Sequence, residues 1–232
     1  GAYGSDVSHS IVSVLTWDRR ERARRRFGAA DLEFGYRDSL LKRTTVNGSP
    51  RYVVLSVEFA VTKTNASAPV RYAELARALN VEVGESADTA DVRREVLRLR
   101  AGKGMVLDPS DPDTYSTGSF FTNPILPAPD ADRLPADAPR YPVAEPGKVK
   151  LSAAWLIEHA GFGKGFGLPG SAGEDIAGGR ASLSAKHTLA VTNRGSATAE
   201  DLLAVARAVA DGVEQRFGIR LHPEPLLINC AL

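Results

Sequence analysis

Residues 198–217 constrain the fold most. Thr198 followed three positions later by Asp201 approximates a capping box. After it Leu202, Ala206, Val209, Val213 and Phe217 recur at helical spacing and mark one buried face. A helix with a single apolar stripe must lay it against another layer of secondary structure. The candidates for that layer are short runs bounded by glycine and proline. Residues 11–17 read as a largely buried strand, and residues 51–63 alternate, with Val53, Leu55, Val57, Phe59 and Val61 on one face. Residues 119–126, 187–193 and 219–229 read as further strands, the last broken by Pro223 and Pro225. Further helices are expected over 72–80, over 89–101 with Asp88 as N-cap and Val92, Val96 and Leu99 as its stripe, and over 152–160 with Gly161 just past its end. The stretches 102–118, 127–148 and 162–182 are rich in proline, glycine or both and read as irregular, 127–148 as a surface excursion. The alternation is irregular, so the expected class is α+β rather than a parallel α/β wheel.

Composition narrows the possible functions. A chain of 232 residues, 43% of them hydrophobic, can bury a real core. Its 29 Lys and Arg nearly balance 28 Asp and Glu, so nothing global calls for nucleic acid or an anionic membrane. The arginine cluster at 19, 20, 22, 24, 25 and 26 has no interleaved aromatic residues for base stacking and reads as a solvated hairpin loop. Cys230 is the sole cysteine, which excludes an internal disulfide or a multi-cysteine metal site, and the histidines at 9, 159, 187 and 222 have no ligand spacing. No metal is expected. No apolar run approaches a membrane span and no signal peptide opens the chain, so the expected location is the cytoplasm, with no obligatory protein partner.

Three motifs carry chemistry. Gly118-Ser119-Phe120-Phe121-Thr122-Asn123-Pro124 sets a hydroxyl beside two aromatic rings, with a carboxamide and a proline downstream. Phe34-Gly35-Tyr36-Arg37-Asp38-Ser39 supplies a guanidinium, and Pro223-Glu224-Pro225 a carboxylate. Together they offer a group that can donate a proton, one that holds an anion and one that orients the pair. Singly, each has a plainer reading. Arg37 could pair with Asp38, Ser119 could bond the backbone near Pro124, and Glu224 could be an exposed turn residue.

Taken in order, the motifs resemble the UDP-N-acetylenolpyruvoylglucosamine reductases (UDP-N-acetylmuramate dehydrogenases), flavoenzymes of peptidoglycan synthesis. The resemblance implies FAD and NADPH as cofactors and an enolpyruvyl UDP-sugar as substrate. Reducing an enolpyruvyl ether needs hydride at one end of the double bond and a proton at the other, with a cation near the carboxylate. By resemblance Ser119 is the proton donor, Arg37 the active-site arginine and Glu224 the second anchoring acid. Lys103, in Arg100-Ala101-Gly102-Lys103-Gly104, matches a phosphate-contacting lysine. Asn123 closes the serine motif, Tyr72 is similar to a tyrosine near the sugar nucleotide, and Tyr141, in Arg140-Tyr141-Pro142, resembles a mobile-loop tyrosine. Lys103 could equally be a helix C-terminal charge, Tyr72 core and Tyr141 a surface aromatic.

Gly1-Ala2-Tyr3-Gly4 is similar to a cofactor-contacting motif that family members reach well into their FAD-binding domain. The resemblance therefore implies that the first part of that domain is absent here. Residues 1–102 would be the rear portion of an FAD-binding α+β domain. A smaller α+β substrate-binding domain would follow over 103–218, and 219–232 would be a terminal strand returning to the FAD side. Strands without neighbours would then leave open edges and exposed apolar surface. The alternative function is a flavin-free, catalytically silent UDP-sugar-binding fragment. The run Gly161-Phe162-Gly163-Lys164-Gly165-Phe166-Gly167 lacks a P-loop ending and reads as structural, and His187 as a core histidine or a substrate contact.

Overall fold

The structure, a computed structural model, describes residues 1–232 and divides into two compact units. The first is Gly1–Leu99 with Leu227–Cys230; the second is Arg100–Leu226 with Ala231–Leu232. Helices and antiparallel sheets coexist in an α+β arrangement.

In the first unit β1 (Ile11–Asp18) lies between β2 (Ala23–Gly28) and an edge strand, β5 (Tyr52–Phe59), all antiparallel. Helix α1 (Leu40–Arg43) and the small hairpin of β3 (Thr45–Val46) and β4 (Ser49–Pro50) fall between β2 and β5. One face of the sheet buries Val14, Phe27, Leu32 and Tyr52, with Phe27 and Tyr52 edge-to-face at 5.0 Å. Asp18 ends β1 and accepts from Arg51 at 2.7 Å and from the N–H groups of Arg20 and Glu21. The Arg51 hydrogen bond, foremost, holds its carboxyl down at about 2. A second cluster forms where α2 (Ala73–Leu79) and α3 (Thr89–Gly102) meet. Val92, Val96 and Leu99 pack there on Val70, Leu75 and Ala76, and Asp88 caps α3 through Ala90 N–H at 2.9 Å.

Two expectations change here. The arginine run is not a loop throughout: Arg24, Arg25 and Arg26 belong to β2, opposite Trp17, Thr16 and Leu15. Arg26 donates to Ser13 Oγ at 2.7 Å, and the Arg25 guanidinium lies 4.6 Å from the Phe27 ring centre. The strand expected over 51–63 stops at Phe59, and its apolar residues are not buried: Val53, Val54, Leu55, Val57 and Phe59 are each 37–49% exposed.

The second unit is built on α7 (Ala199–Phe217). Its capping box is closed, with Asp201 N–H on Thr198 Oγ1 at 3.2 Å and Thr198 N–H on Asp201 Oδ2 at 2.8 Å, and Gly218 caps the far end. Leu203, Val205, Ala206, Val209, Ala210 and Val213 are buried, whereas Leu202 and Phe217 sit at the margin of the stripe. The helix covers a sheet ordered β10 (Ala181–Leu183), β11 (Ala190–Asn193), β6 (Ser116–Ser119), and α5 (Ala153–His159) buries Leu156 and Ile157. Residues 127–148 are more ordered than an excursion. They contribute α4 (Ala128–Ala131) and β8 (Arg140–Pro142), and a second sheet runs β7 (Ile125–Pro127), β9 (Lys148–Leu151), β8. Helix α6 (Glu174–Ala177) interrupts the glycine-rich stretch.

The strand expected over 119–126 is split in two. β6 ends at Ser119 and β7 begins at Ile125, because Phe120 and Phe121 turn into the core and Pro124 has no N–H to continue a ladder. The strand expected over 219–229 is reduced to a single bridge, Phe121 with Pro223, for the same reason at Pro223 and Pro225. Of this segment Leu227–Cys230 group with the first unit, and the residues before them with the second.

Candidate functional site

Ser119 is the last residue of β6, paired with Ala190 of β11. Gly118 before it has φ of +81°, a left-handed conformation that suits glycine and sets the direction in which Ser119 leaves the strand. After it Phe120 donates to Leu189 O at 2.6 Å. Phe120 and Phe121 stack edge-to-face at 5.1 Å and are both buried, so the half-buried Ser119 stands beside apolar rings. The chain returns here from far away in sequence: Glu224 N–H donates to Phe120 O at 2.8 Å, and Thr122 N–H to His222 O at 3.0 Å. Backbone pairing thus brings the serine and glutamate motifs together.

Asn123 spends its side-chain oxygen on Ala153 N–H, at 2.9 Å, at the start of α5. Tyr141 is exposed on β8 opposite Lys150, whose ammonium lies 5.9 Å from the ring centre; the expected loop tyrosine is a strand residue. Lys103 follows α3 in a turn packed tightly on Asp113: a Cβ at Gly104 would stand 2.9 Å from the Asp113 carbonyl oxygen. The Asp113 carboxylate is buried and accepts from Ala185 N–H at 2.9 Å and Arg194 Nη2 at 2.7 Å. Arg194 reaches Ser182 Oγ as well, at 2.8 Å. This internal ion pair and the polar residues Ser182, Ser184 and Thr192 were not singled out from sequence, since nothing local distinguishes a buried serine from an exposed one. A cavity of about 360 Å³ opens beside β6, lined mainly by Leu107, Tyr115, Thr117, Phe120, Val191 and Leu202; no residue expected at the site lines it.

The first unit gathers the other expected residues. Arg37 has φ of +53° in the two-residue turn closed by Gly35 and Asp38, and its Nη2 donates to Gly1 O at 3.1 Å. The possible Arg37–Asp38 ion pair is not what forms: Arg43 binds both Asp38 and Glu33. Ser39, the end of the motif, caps α1 through Lys42 N–H at 3.3 Å. Gly1, Ala2 and Tyr3 form a turn closed by reciprocal hydrogen bonds between Ala2 and Ser5. The Tyr3 and Tyr72 rings meet edge-to-face at 5.3 Å, so a residue expected at the cofactor and one expected at the substrate are neighbours. The exposed backbone of this turn, the Tyr3 ring and the Arg37 guanidinium, which reaches Gly1 O from the 35–38 turn, thus lie together. No group of three His, Cys, Asp or Glu side chains is placed to hold a metal ion, and no helix is long and apolar enough to cross a membrane.

A family model described as UDP-N-acetylenolpyruvoylglucosamine reductase, C-terminal domain, matches residues 109–228, more than half of the chain. The chain belongs to the UDP-N-acetylenolpyruvoylglucosamine reductase family. Proteins of that name from Salinispora arenicola, at 51% identity, and from Mycobacterium tuberculosis, at 52%, align with all of this chain. The chain spans 62% of each of these relatives. A crystal structure of a UDP-N-acetylenolpyruvylglucosamine reductase from Thermus caldophilus covers 94% of this chain at 21% identity and a TM-score of 0.49, too distant a likeness to place any residue.

Proposed function

We propose that this chain is part of a reductase that converts UDP-N-acetylenolpyruvoylglucosamine to UDP-N-acetylmuramate in peptidoglycan synthesis, with NADPH as electron source and FAD as the resident cofactor. The single observation that carries the reading is the pairing of residues 120–122 with residues 222–224, which draws Glu224 to the serine motif. Gly1, Ala2 and Tyr3 would hold FAD, which would supply the hydride needed at one carbon of the enolpyruvyl double bond. The Ser119 hydroxyl donates its proton to the other carbon. A serine is a weak acid in water, and the buried rings beside Ser119 favour transfer by excluding water from it. Arg37 and Glu224 steady the charge that builds on the carboxylate side. Lys103, Asn123, Tyr72 and Tyr141 hold the UDP-sugar, Lys103 by charge and Asn123 by its amide.

The test has two stages. The purified chain is mixed with FAD, freed of excess, and examined by visible absorption, then titrated with the enolpyruvyl UDP-sugar. A retained flavin band together with UDP-sugar binding supports the reductase reading for this chain. UDP-sugar binding without flavin makes it a catalytically silent binding fragment. Neither one sinks the assignment of both units. In a form extended to the length of its relatives, Ser119→Ala is expected to lower turnover by about 100-fold or more while leaving flavin reduction by NADPH intact. Normal turnover removes the role given to Ser119.

A further inference from the structure

We infer that the cavity of about 360 Å³ beside β6 is a binding site for a small, neutral, two-ring aromatic molecule, and that its occupant bears on the strand end carrying Ser119. None of the residues given above to flavin or to the UDP-sugar lines it.

The cavity is walled by segments far apart in the chain. Val191 of β11 and Phe120 are its buried lining, and Leu202 of α7, Leu107 and Tyr115 stand nearer solvent. Leu202 belongs to the apolar stripe of α7 yet is only half-buried, and Leu107 and Tyr115 are 70% and 46% exposed. Three large apolar side chains that the unit itself leaves partly uncovered therefore gather at one opening, where a bound ring would take them out of water.

The lining decides the class of ligand. None of its residues is charged, so an ion would lose its water on entering and gain no counter-charge. Most of the polar lining is spent within the chain. Thr114 Oγ1 bonds the backbone of Asp108 and Asp111, and the Asn193 amide bonds the backbone of Gly195 and Ala197. Thr117, exposed at the opening, keeps its hydroxyl for an occupant. An apolar cavity of about 150 Å³ holds one benzene ring, so about 360 Å³ suits two fused rings with a hydroxyl at the edge. Phe120 and Tyr115 give it aromatic walls, which suit a flat partner.

Phe120 joins the cavity to the serine motif. It lines the cavity, its N–H donates to Leu189 O at 2.6 Å, and its carbonyl accepts from Glu224 N–H at 2.8 Å. Ser119 is its neighbour in the chain. An occupant pressed on Phe120 therefore steadies the backbone that Ser119 and Glu224 share.

The experiment is equilibrium dialysis of the 232-residue chain with 2-naphthol, a phenol that is neutral at about pH 7, and with 2-naphthoate, an anion of similar size. One saturable site is expected for 2-naphthol, with 2-naphthoate weaker by about tenfold or more. Leu202→Trp fills the cavity from α7 and is expected to weaken 2-naphthol by about tenfold or more, and Thr117→Val by about fivefold. Thr117→Trp blocks the opening from an exposed position and replaces Leu202→Trp where that variant does not fold. Binding that does not saturate, that takes both probes equally, or that stays within about twofold in the tryptophan variant overturns the site. Amide hydrogen exchange reads the link to the serine motif. Saturating 2-naphthol is expected to slow exchange at Phe120 and Glu224 by about threefold or more, and unchanged exchange there overturns the claim on the strand end. Neither probe is a UDP-sugar and no flavin is added, so failure here leaves the reductase reading standing.

Discussion

The two units solve the burial problem differently. In the second unit α7 lays six buried residues on a sheet whose strand β10 is buried at every position, and α5 adds Leu156 and Ile157. The first unit has two small clusters instead, one on a sheet face and one between helices. Its longest strands carry apolar side chains that nothing within the unit covers, Trp17 of β1 and Val53, Leu55 and Phe59 of β5 among them. The first unit holds two of its expected residues, Tyr3 and Arg37, at positive φ, while the second sets Ser119 at the end of β6 behind a glycine, Gly118, that takes the positive φ in its place. A dense core lets an element end where its chemistry is needed. Where the core is thin, tight turns must place the side chains.

The largest expected effect lies in the buried ion pair of the second unit. Asp113→Ala leaves the Arg194 guanidinium, only 14% exposed, without its carboxylate and is expected to cost about 3–5 kcal/mol in urea unfolding. A loss under about 1 kcal/mol would mean that water enters the pair and the core is looser than its burial indicates.

A matched pair of substitutions compares the units directly. Leu156→Ala is expected to destabilise by about 2–5 kcal/mol, since Leu156 is fully buried. Leu55→Ser on β5 is expected to stay within about 0.5 kcal/mol, because the side chain is half exposed. A large penalty at Leu55 would show that this face is covered in solution and would dissolve the contrast.

The acid limb of stability is the subtlest test. Asp18 in the first unit and Asp201 in the second are both held below the ordinary carboxylate value of 3.8, chiefly by hydrogen bonds from Arg51 and Arg180. A depressed carboxyl contributes stability that is complete above its unfolded value and is lost as pH falls toward its folded one. Unfolding midpoints should therefore drop as pH falls from about 4 toward 2, and Asp18→Asn should flatten that slope for the first unit alone. An unchanged slope would remove Asp18 from the account.

Much of the local structure could be read from the chain. The Thr198–Asp201 box and Asp88 before α3 act over two or three residues and form as their spacing suggests, whereas of the α7 stripe Ala206, Val209 and Val213 are buried and Leu202 and Phe217 lie at its margin. The serine motif was equally plain as a pattern. Its geometry was not, since residues 119–126 look like one strand until Phe120 and Phe121 find a core to enter. The plain ion pair between Arg37 and Asp38 was reasonable for adjacent opposite charges, but Arg43, one helical turn into α1, reaches Asp38 instead. The glycine run around Lys164 read as structural, and what it is tied to, the turn at Ser184 through Gly165 N–H, was not legible from the run itself.

By itself, then, the sequence determined the helices with their caps, the α+β class, and the motifs that place the chain in its family, because these depend on side chains a few residues apart. Tertiary structure alone decided that Glu224 lies beside the serine motif, that Asp38 belongs to Arg43, and that β5 keeps its apolar side chains exposed. Each of these joins segments far apart in the chain, where loop closure and packing rather than local propensity select the partner.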